Sequence, residues 1–206
     1  MRIPIAPEGY SIIGITTVIW ALTALTNNIW VIGTMGLLWL FVVSFFRDPA
    51  RIITRDPSTI YSAADGLITA IDEHKIDGVE CYRVVTFLSV FNCHVNRIPY
   101  TGTVKETHRT PGKFLAAYRG EIDQENERQE TLFDTKKGPM KVVQITGAIA
   151  RRIFCYLSPG QSTKTGDRFG LIRFGSRTDV YFPKTAQLLV KKGQLIKGAI
   201  TPLAKF

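Results

Sequence analysis

From Ser11 to Thr26 the chain is apolar or small throughout, Asn27-Asn28 interrupts it, and Ile29 to Phe46 continues without a single charge. Eighteen helical residues span about 27 Å, close to the hydrocarbon thickness of a bilayer. The second run therefore predicts a transmembrane helix. The first, shorter and rich in threonine, predicts the other arm of a tight hairpin or a segment lying in the interface. All three tryptophans, Trp20, Trp30 and Trp39, fall in this region, and Trp30 beside the asparagine pair suits an interfacial position. Glu8 accompanies Arg2 in the leader and no small-residue cleavage site precedes the second run, which argues for an anchor over a cleaved signal peptide. The competing reading is a buried hairpin of a soluble protein.

Beyond Pro57 the pattern changes to short apolar runs separated by glycine and proline. Residues 66–71, 80–87, 102–104, 141–145, 171–174, 178–182 and 187–190 all read as strands, punctuated by turns such as Asp77-Gly78 and Lys192-Gly193. Helical patterning is weak here, the best candidate being a short turn at Gly147 to Phe154. The stretch Gly120 to Lys137 is polar and reads as a solvated loop. The fold class is thus mainly β, a β-sandwich or partly closed barrel, preceded by a transmembrane helical segment or hairpin. The boundary falls between an anchor, residues 1–46, and a β-rich domain, residues 47–206.

Charge sharpens this division. Arg2 and Glu8 cancel within the first 46 residues, so the entire formal charge of +9 belongs to residues 47–206. Such an excess suits nucleic acid or an acidic lipid surface, and the apolar N-terminus favours the lipid. Arg47, Arg51 and Arg55 follow the apolar runs directly, whereas the Asn27-Asn28 link is uncharged. By the positive-inside bias the β domain lies on the cytoplasmic face of the cell (inner) membrane. Cys81, Cys93 and Cys155 form no C-x-x-C pair, which argues against a disulfide framework and a zinc ribbon and predicts reduced, mostly buried thiols.

Candidate chemistry is sparse. His74 and His108 sit in charged or threonine-flanked surroundings and read as solvated. His94 lies between two apolar stretches, where an imidazole is either satisfied in the core or used. A Cys93–His94 nucleophile pair is poorly placed, because adjacent residues of an extended chain point to opposite faces. An acid–base–nucleophile set dispersed through the chain, Asp65, His94 and Ser176, is the alternative. No two histidines stand at ligand spacing, so no metal is expected. Gly175-Ser176 interrupts an apparent strand from Leu171 to Phe182. It reads either as a bulge with a locally satisfied hydroxyl or as a bond that Ser176 Oγ could attack, glycine leaving the carbonyl accessible.

Taken together, the motifs Phe45-Phe46-Arg47-Asp48-Pro49, Ala63-Ala64-Asp65-Gly66, Phe87-Leu88-Ser89 through His94 to Pro99, Gly112-Lys113-Phe114, Gly147 to Ile153 and Arg173-Phe174-Gly175-Ser176-Arg177 resemble the short bacterial form of the phosphatidylserine decarboxylases. The resemblance extends from about residue 10 to the C-terminus. It implies a zymogen that cuts itself between Gly175 and Ser176 into a β chain, residues 1–175, and an α chain, residues 176–206. It also implies a pyruvoyl cofactor made covalently from Ser176. Asp65 and His94 would assist the cleavage, and His94 would move the proton in the decarboxylation. Arg97, Arg151 and Arg152 would meet the lipid phosphate, unless they serve as structural ion pairs.

The long form of the family carries a second histidine three residues beyond the first, where this chain has Arg97. Either His94 serves both steps or another group is the processing base. The partners implied are phosphatidylserine, the membrane and the chain's own two fragments, with no nucleic acid; a homo-oligomer stays open. Alternatives are a decarboxylase of a related serine lipid such as archaetidylserine, or a non-enzymatic, membrane-anchored domain that binds anionic lipid.

Overall fold

The structure is a computed structural model that describes residues 4–53, 55–115, 125–147, 152–173 and 176–206. It divides into two compact units, Met1–Ala50 and Arg51–Phe206.

The first unit is a helical hairpin, α1 (Tyr10–Thr23) and α2 (Ile29–Phe45). Asn27 turns the chain with a positive φ of 49°, and Asn28 caps α2, its Oδ1 accepting from the N–H groups of Trp30 and Val31 at 3.0 and 3.4 Å. The threonines of α1 return their hydroxyls to their own helix, Thr16 to Ile12 O at 2.8 Å and Thr17 to Ile13 O at 2.7 Å. Trp20 stacks on Trp39 at 5.1 Å, Trp20 Nε1 donates to Ile32 O at 3.1 Å and Trp39 Nε1 to Thr17 Oγ1 at 2.8 Å. Polar groups are thus consumed inside the pair. Ile15, Val18, Leu22, Leu37 and Leu40 face outward, the surface that an apolar solvent accepts and water does not.

Length reverses the order expected of the two apolar runs. With its flanking 3₁₀ turns the first forms a 20-residue helical stretch, Pro7–Thr26, of mean hydropathy 1.5, long and apolar enough to cross a membrane. The second is cut to 17 residues by the Asn28 cap and the end of α2 at Phe45.

Among the described residues the second unit holds fourteen strands. In chain order they are β1 (Thr59–Tyr61), β2 (Gly66–Ile76), β3 (Val79–Leu88), β4 (Val95–Arg97), β5 (Gly102–Thr110), β6 (Arg128–Thr135) and β7 (Gly138–Ile145). Then follow β8 (Ile153–Cys155), β9 (Ser162–Thr163), β10 (Arg168–Ile172), β11 (Ser176–Pro183), β12 (Gln187–Leu188), β13 (Leu195–Ile196) and β14 (Pro202–Lys205). Eight of them form one curled, half-barrel sheet in the order β13-β2-β3-β11-β7-β6-β5-β9, and two three-stranded sheets, β1-β14-β12 and β4-β10-β8, complete the domain. The pairings are antiparallel throughout.

Alternation along the strands sets the core. Val84, Val180 and Val142 lie in one row across β3, β11 and β7, each at most 1% exposed, and each such side chain contributes about 1.5–3 kcal/mol of burial. Ile60 and Leu203 from one small sheet join this cluster, as does Phe169 from the other. Tyr181, Val143 and Ile145 alternate to the opposite face and pack with Cys81 and Leu132. The Asp77-Gly78 turn joins β2 to β3 with φ of 49° and 80°, the left-handed pair that suits a tight hairpin.

Several local expectations change. Residues 128–135, expected as part of a solvated loop, form β6, because Leu132 and Phe133 give that polar stretch faces to bury. Residues 153–155 are strand instead of helical turn; residues 148–151 lie outside the described residues. His74 is exposed within β2, edge-on to Tyr181 at 5.5 Å, and His108 is exposed on β5. The apparent strand across Gly175 is two strands in different sheets, β10 ending at Ile172 and β11 starting at Ser176. None of the three cysteines forms a disulfide; Cys81 and Cys93 are buried and Cys155 is half-buried.

Candidate active site

Ser176 opens β11 at the centre of the main sheet, opposite Leu88 of β3. Its side chain falls on the same face as Thr178, Val180 and Phe182, by the two-residue period of a strand. Val180 and Phe182 belong to the apolar core. Above them the inner face turns polar: Thr178 stands between Thr86 of β3 and Gln144 of β7. Gln144 Nε2 donates to Asn96 Oδ1 at 2.8 Å. These side chains are buried, yet Ser176 Oγ, Thr178 Oγ1, Asn96 Nδ2 and Gln144 Oε1 have no hydrogen-bond partner among the described residues. A buried hydroxyl or amide left unsatisfied costs about 1–3 kcal/mol. Four at one end of one core mark a site with hydrogen bonds held in reserve.

His94 lies just before β4, fully buried. A turn places it: Asn92 Oδ1 accepts from Ser89 N and Oγ at 2.9 and 2.8 Å, and Asn92 O lies 3.0 Å from His94 Nδ1. A carbonyl can only accept, so Nδ1 carries a proton, and in the neutral form of the ring the lone pair falls on Nε2. Val95 pairs with Leu171, which sets His94 beside Ile172 at the end of β10. Residues 173–175 lead from there to Ser176. The described chain therefore brackets the Gly175–Ser176 bond with His94 at one end of the connection and Ser176 at the other; Phe174 and Gly175 themselves lie outside the described residues.

Asp65 enters at the same end. Leu67 pairs with Phe87, and Phe87 with Arg177, so one residue back Gly66, Leu88 and Ser176 share a row. Asp65 thus approaches two strands from Ser176, roughly 10 Å of backbone. Gly66 is required for this approach, since a Cβ there would lie 2.2 Å from Phe87 O. The Asp65 carboxylate is held by Arg51, Nη1 to Oδ1 at 2.7 Å and Nη2 to Oδ2 at 2.8 Å, and Gly198 N donates to Oδ1 at 2.8 Å. Burial opposes the Arg51 charge, but Asp65, with Cys93 alongside, raises its pKa above the ordinary guanidinium value.

Asp65 and Ser176 thus lie toward one end of the main sheet, with His94 set beside the end of β10, and Ser176 Oγ is hydrogen-bonded to neither Asp65 nor His94. The arginines diverge. Arg97 is buried and donates to Gly166 O at 3.2 Å, and its strand partner is Arg168, at the end of β10 away from Ile172. Arg152 is exposed, its carbonyl accepting from Arg173 N at 3.1 Å. Arg151 lies outside the described residues.

Sequence reasoning used Arg51 only for topology and missed its grip on Asp65, fourteen positions along the chain. It also missed the buried pair between Arg177 and Asp179, two bonds of 2.7 Å, and the layer of Thr86, Thr178, Asn96 and Gln144. The layer had a visible signal: polar residues standing at inward positions of otherwise apolar alternations.

Residues 38–204 match the family described as phosphatidylserine decarboxylase. A Rickettsia akari (strain Hartford) protein named phosphatidylserine decarboxylase proenzyme is 42% identical over 207 residues, covering 97% of this chain and 89% of the relative. A Beijerinckia indica protein of the same name is 40% identical over 210 residues, covering 98% of this chain and 89% of the relative. Another from Rickettsia africae (strain ESF-5) is 42% identical over 207 residues, with coverage of 97% and 89%. On a match of this extent the chain belongs to the phosphatidylserine decarboxylase family.

Proposed function

We propose that the chain is a proenzyme that cleaves itself between Gly175 and Ser176 and then decarboxylates phosphatidylserine to phosphatidylethanolamine through a pyruvoyl group derived from Ser176. The observation that carries this reading is the buried, unpartnered Ser176 Oγ at the start of β11.

In the cleavage Ser176 Oγ attacks the Gly175 carbonyl carbon. The peptide C–N bond breaks, the amine takes the proton, and an ester joins Gly175 to the Ser176 side chain. Loss of the residue-176 Cα proton expels the Gly175 carboxylate, and water then replaces the nitrogen, which leaves as ammonia. His94, with its lone pair on Nε2, is the base nearest the connection by chain placement. Asp65, fixed by Arg51 and Gly198, supplies negative charge at the same end and is the second candidate in processing.

The residues present suit the product. Thr178 Oγ1 and Asn96 Nδ2 are buried donors without acceptors on the face where Ser176 loses its hydroxyl, and a carbonyl there is an acceptor. The pyruvoyl carbonyl supplies an electron sink for the pair released when carbon dioxide leaves. The chain's own part is to exclude water, which the buried inner face does, and to return a proton, which falls to His94. Arg152, exposed beside the connection, is the first candidate for the lipid phosphate, with Arg151 next to it and Arg97 more deeply set. The apolar hairpin holds the enzyme in the membrane with its β domain on the cytoplasmic side, where Arg47, Arg51 and Arg55 lie.

Intact mass of the purified protein tests this. Two fragments are expected, residues 1–175 and 176–206, the second lighter than its serine form by one ammonia and lacking an N-terminal α-amine, so that it is blocked to stepwise N-terminal sequencing. A single full-length chain in an active preparation overturns the pyruvoyl reading.

A further inference from the structure

The C-terminal segment carries a feature that the chemistry does not use. No acidic residue follows Asp179. Within the segment, Lys191, Lys192 and Lys197 are exposed and make no ion pair among the described residues. Leu195 stands between them, 75% exposed, although it is a strand residue paired with Leu67, itself 37% exposed. The turn that presents it is well made: Gly193 has a φ of 85°, Gly193 N donates to Ile68 O at 2.8 Å and Gln194 N to Lys191 O at 3.2 Å. Leu195 is therefore held outward by a fixed backbone. On the same segment Leu189 and Ile200, with Ile52 at 96% exposure, line a groove of about 440 Å³.

We propose that this rim, residues 189–200 with Ile52, docks on the surface of an anionic bilayer. The lysines would meet lipid phosphates and carboxylates, and Leu195, Ile52 and Ile200 would enter the headgroup layer. Exposed apolar side chains interleaved with uncompensated lysines match a surface that is negative outside and apolar just beneath. The inference rests on the reading that the substrate is a bilayer lipid.

Two further observations fix the occupant as the membrane. Arg51 opens the β domain and its Nη1 donates to Gly198 O at 2.5 Å, beside Lys197, so the first residues of the β domain lie at this edge. The rim is also close to the reactive residue: Ile196 pairs with Gly66, which shares a row with Leu88 and Ser176. Three strand spacings separate Ile196 from Ser176, roughly 14 Å. That is shorter than one lipid leaflet, about 20 Å, so a lipid drawn partly out of the bilayer brings its headgroup to the site. After cleavage residues 189–200 of the rim belong to the 176–206 fragment and Ile52 to the other, so the piece carrying the reactive group would carry most of the membrane contact.

The test uses full-length protein in proteoliposomes. In phosphatidylcholine vesicles containing phosphatidylserine, a variant with Lys191→Gln, Lys192→Gln and Lys197→Gln is expected to turn over about tenfold more slowly than the parent at low salt. The deficit should disappear with soluble short-chain phosphatidylserine. A fluorophore on Leu195→Cys, with the labelled parent chain as background, should be quenched by brominated lipids, and less so with the three lysines replaced. Equal loss on both substrates, no loss on either, or no quenching overturns the proposal. If the parent protein turns over neither substrate, the decarboxylase reading fails, while the quenching still decides the docking.

Discussion

Arg51 grips both carboxylate oxygens of Asp65, at 2.7 and 2.8 Å, with side-chain exposures of only 6% and 16%. This pair closes the end of the domain at which Ser176 lies, and Gly198 is bonded to both partners. Removing one member of a buried pair strands the other, so Arg51→Ala should lower stability by about 3 kcal/mol and slow self-cleavage. Arg51→Lys keeps the charge but loses the fork and should fall between. Urea unfolding and the rate of fragment appearance on a denaturing gel measure the two effects. Normal cleavage in Arg51→Ala would remove Asp65 placement from the processing step.

Ser176→Ala separates reactivity from stability. It should leave one uncleaved chain without decarboxylase activity. Because the hydroxyl is buried with no partner, its deletion should also raise stability by about 1 kcal/mol, seen as a higher urea midpoint than that of freshly made, still uncleaved parent chain. A lower midpoint would mean that the hydroxyl is bonded after all.

The strands from 66 to 88 and from 178 to 182 were legible because apolar residues alternate there and Asp77-Gly78 supplies the turn. β6 was not, since its inward Leu132 and Phe133 stand among charged neighbours whose long side chains cover the outer face. Asp65, His94 and Ser176 could be chosen from residue type and order alone. Their relative placement could not, because it depends on the pairing of β11 with β3 and of β10 with β4, between segments some eighty residues apart. Arg51 was hidden for the same reason: an arginine after an apolar run satisfies the positive-inside pattern whether or not it also clamps a carboxylate.

His94→Ala should slow self-cleavage by roughly 10²–10⁴-fold, the usual contribution of a positioned base, while leaving the β domain folded by circular dichroism. His94→Gln should do no better, since an amide keeps a hydrogen bond to Asn92 O but has no lone pair of comparable basicity. Cleavage at the parent rate in either variant would assign the base elsewhere.

Asp56 provides a pH signature away from the site. Its carboxylate accepts from Ser58 N, Ser58 Oγ and Thr59 Oγ1, and the Ser58 backbone bond leads in holding its pKa at about 2, below the ordinary 3.8. The folded value is depressed, so the stabilisation is complete above about 3.8 and is lost as pH falls through about 2. Asp56→Asn should flatten the urea midpoint over that window and leave the neutral-pH profile of activity unchanged.

Arg177, which follows Ser176 on β11, is bound to Asp179 by two bonds of 2.7 Å on the face opposite Ser176, and both side chains are buried. Such a pair is costly to break and cheap to replace whole. Arg177→Met alone should destabilise the domain by about 3 kcal/mol, since Asp179 stays charged and buried with the Arg83 guanidinium no nearer than 4.0 Å. The double change Arg177→Met with Asp179→Leu should recover most of that loss, because desolvating both charges offsets much of what their attraction returns. Cleavage discriminates a structural from a positional role. If the pair serves only the fold, the double variant should cleave at the parent rate; if it orients the start of β11, the double variant should be stable and slow.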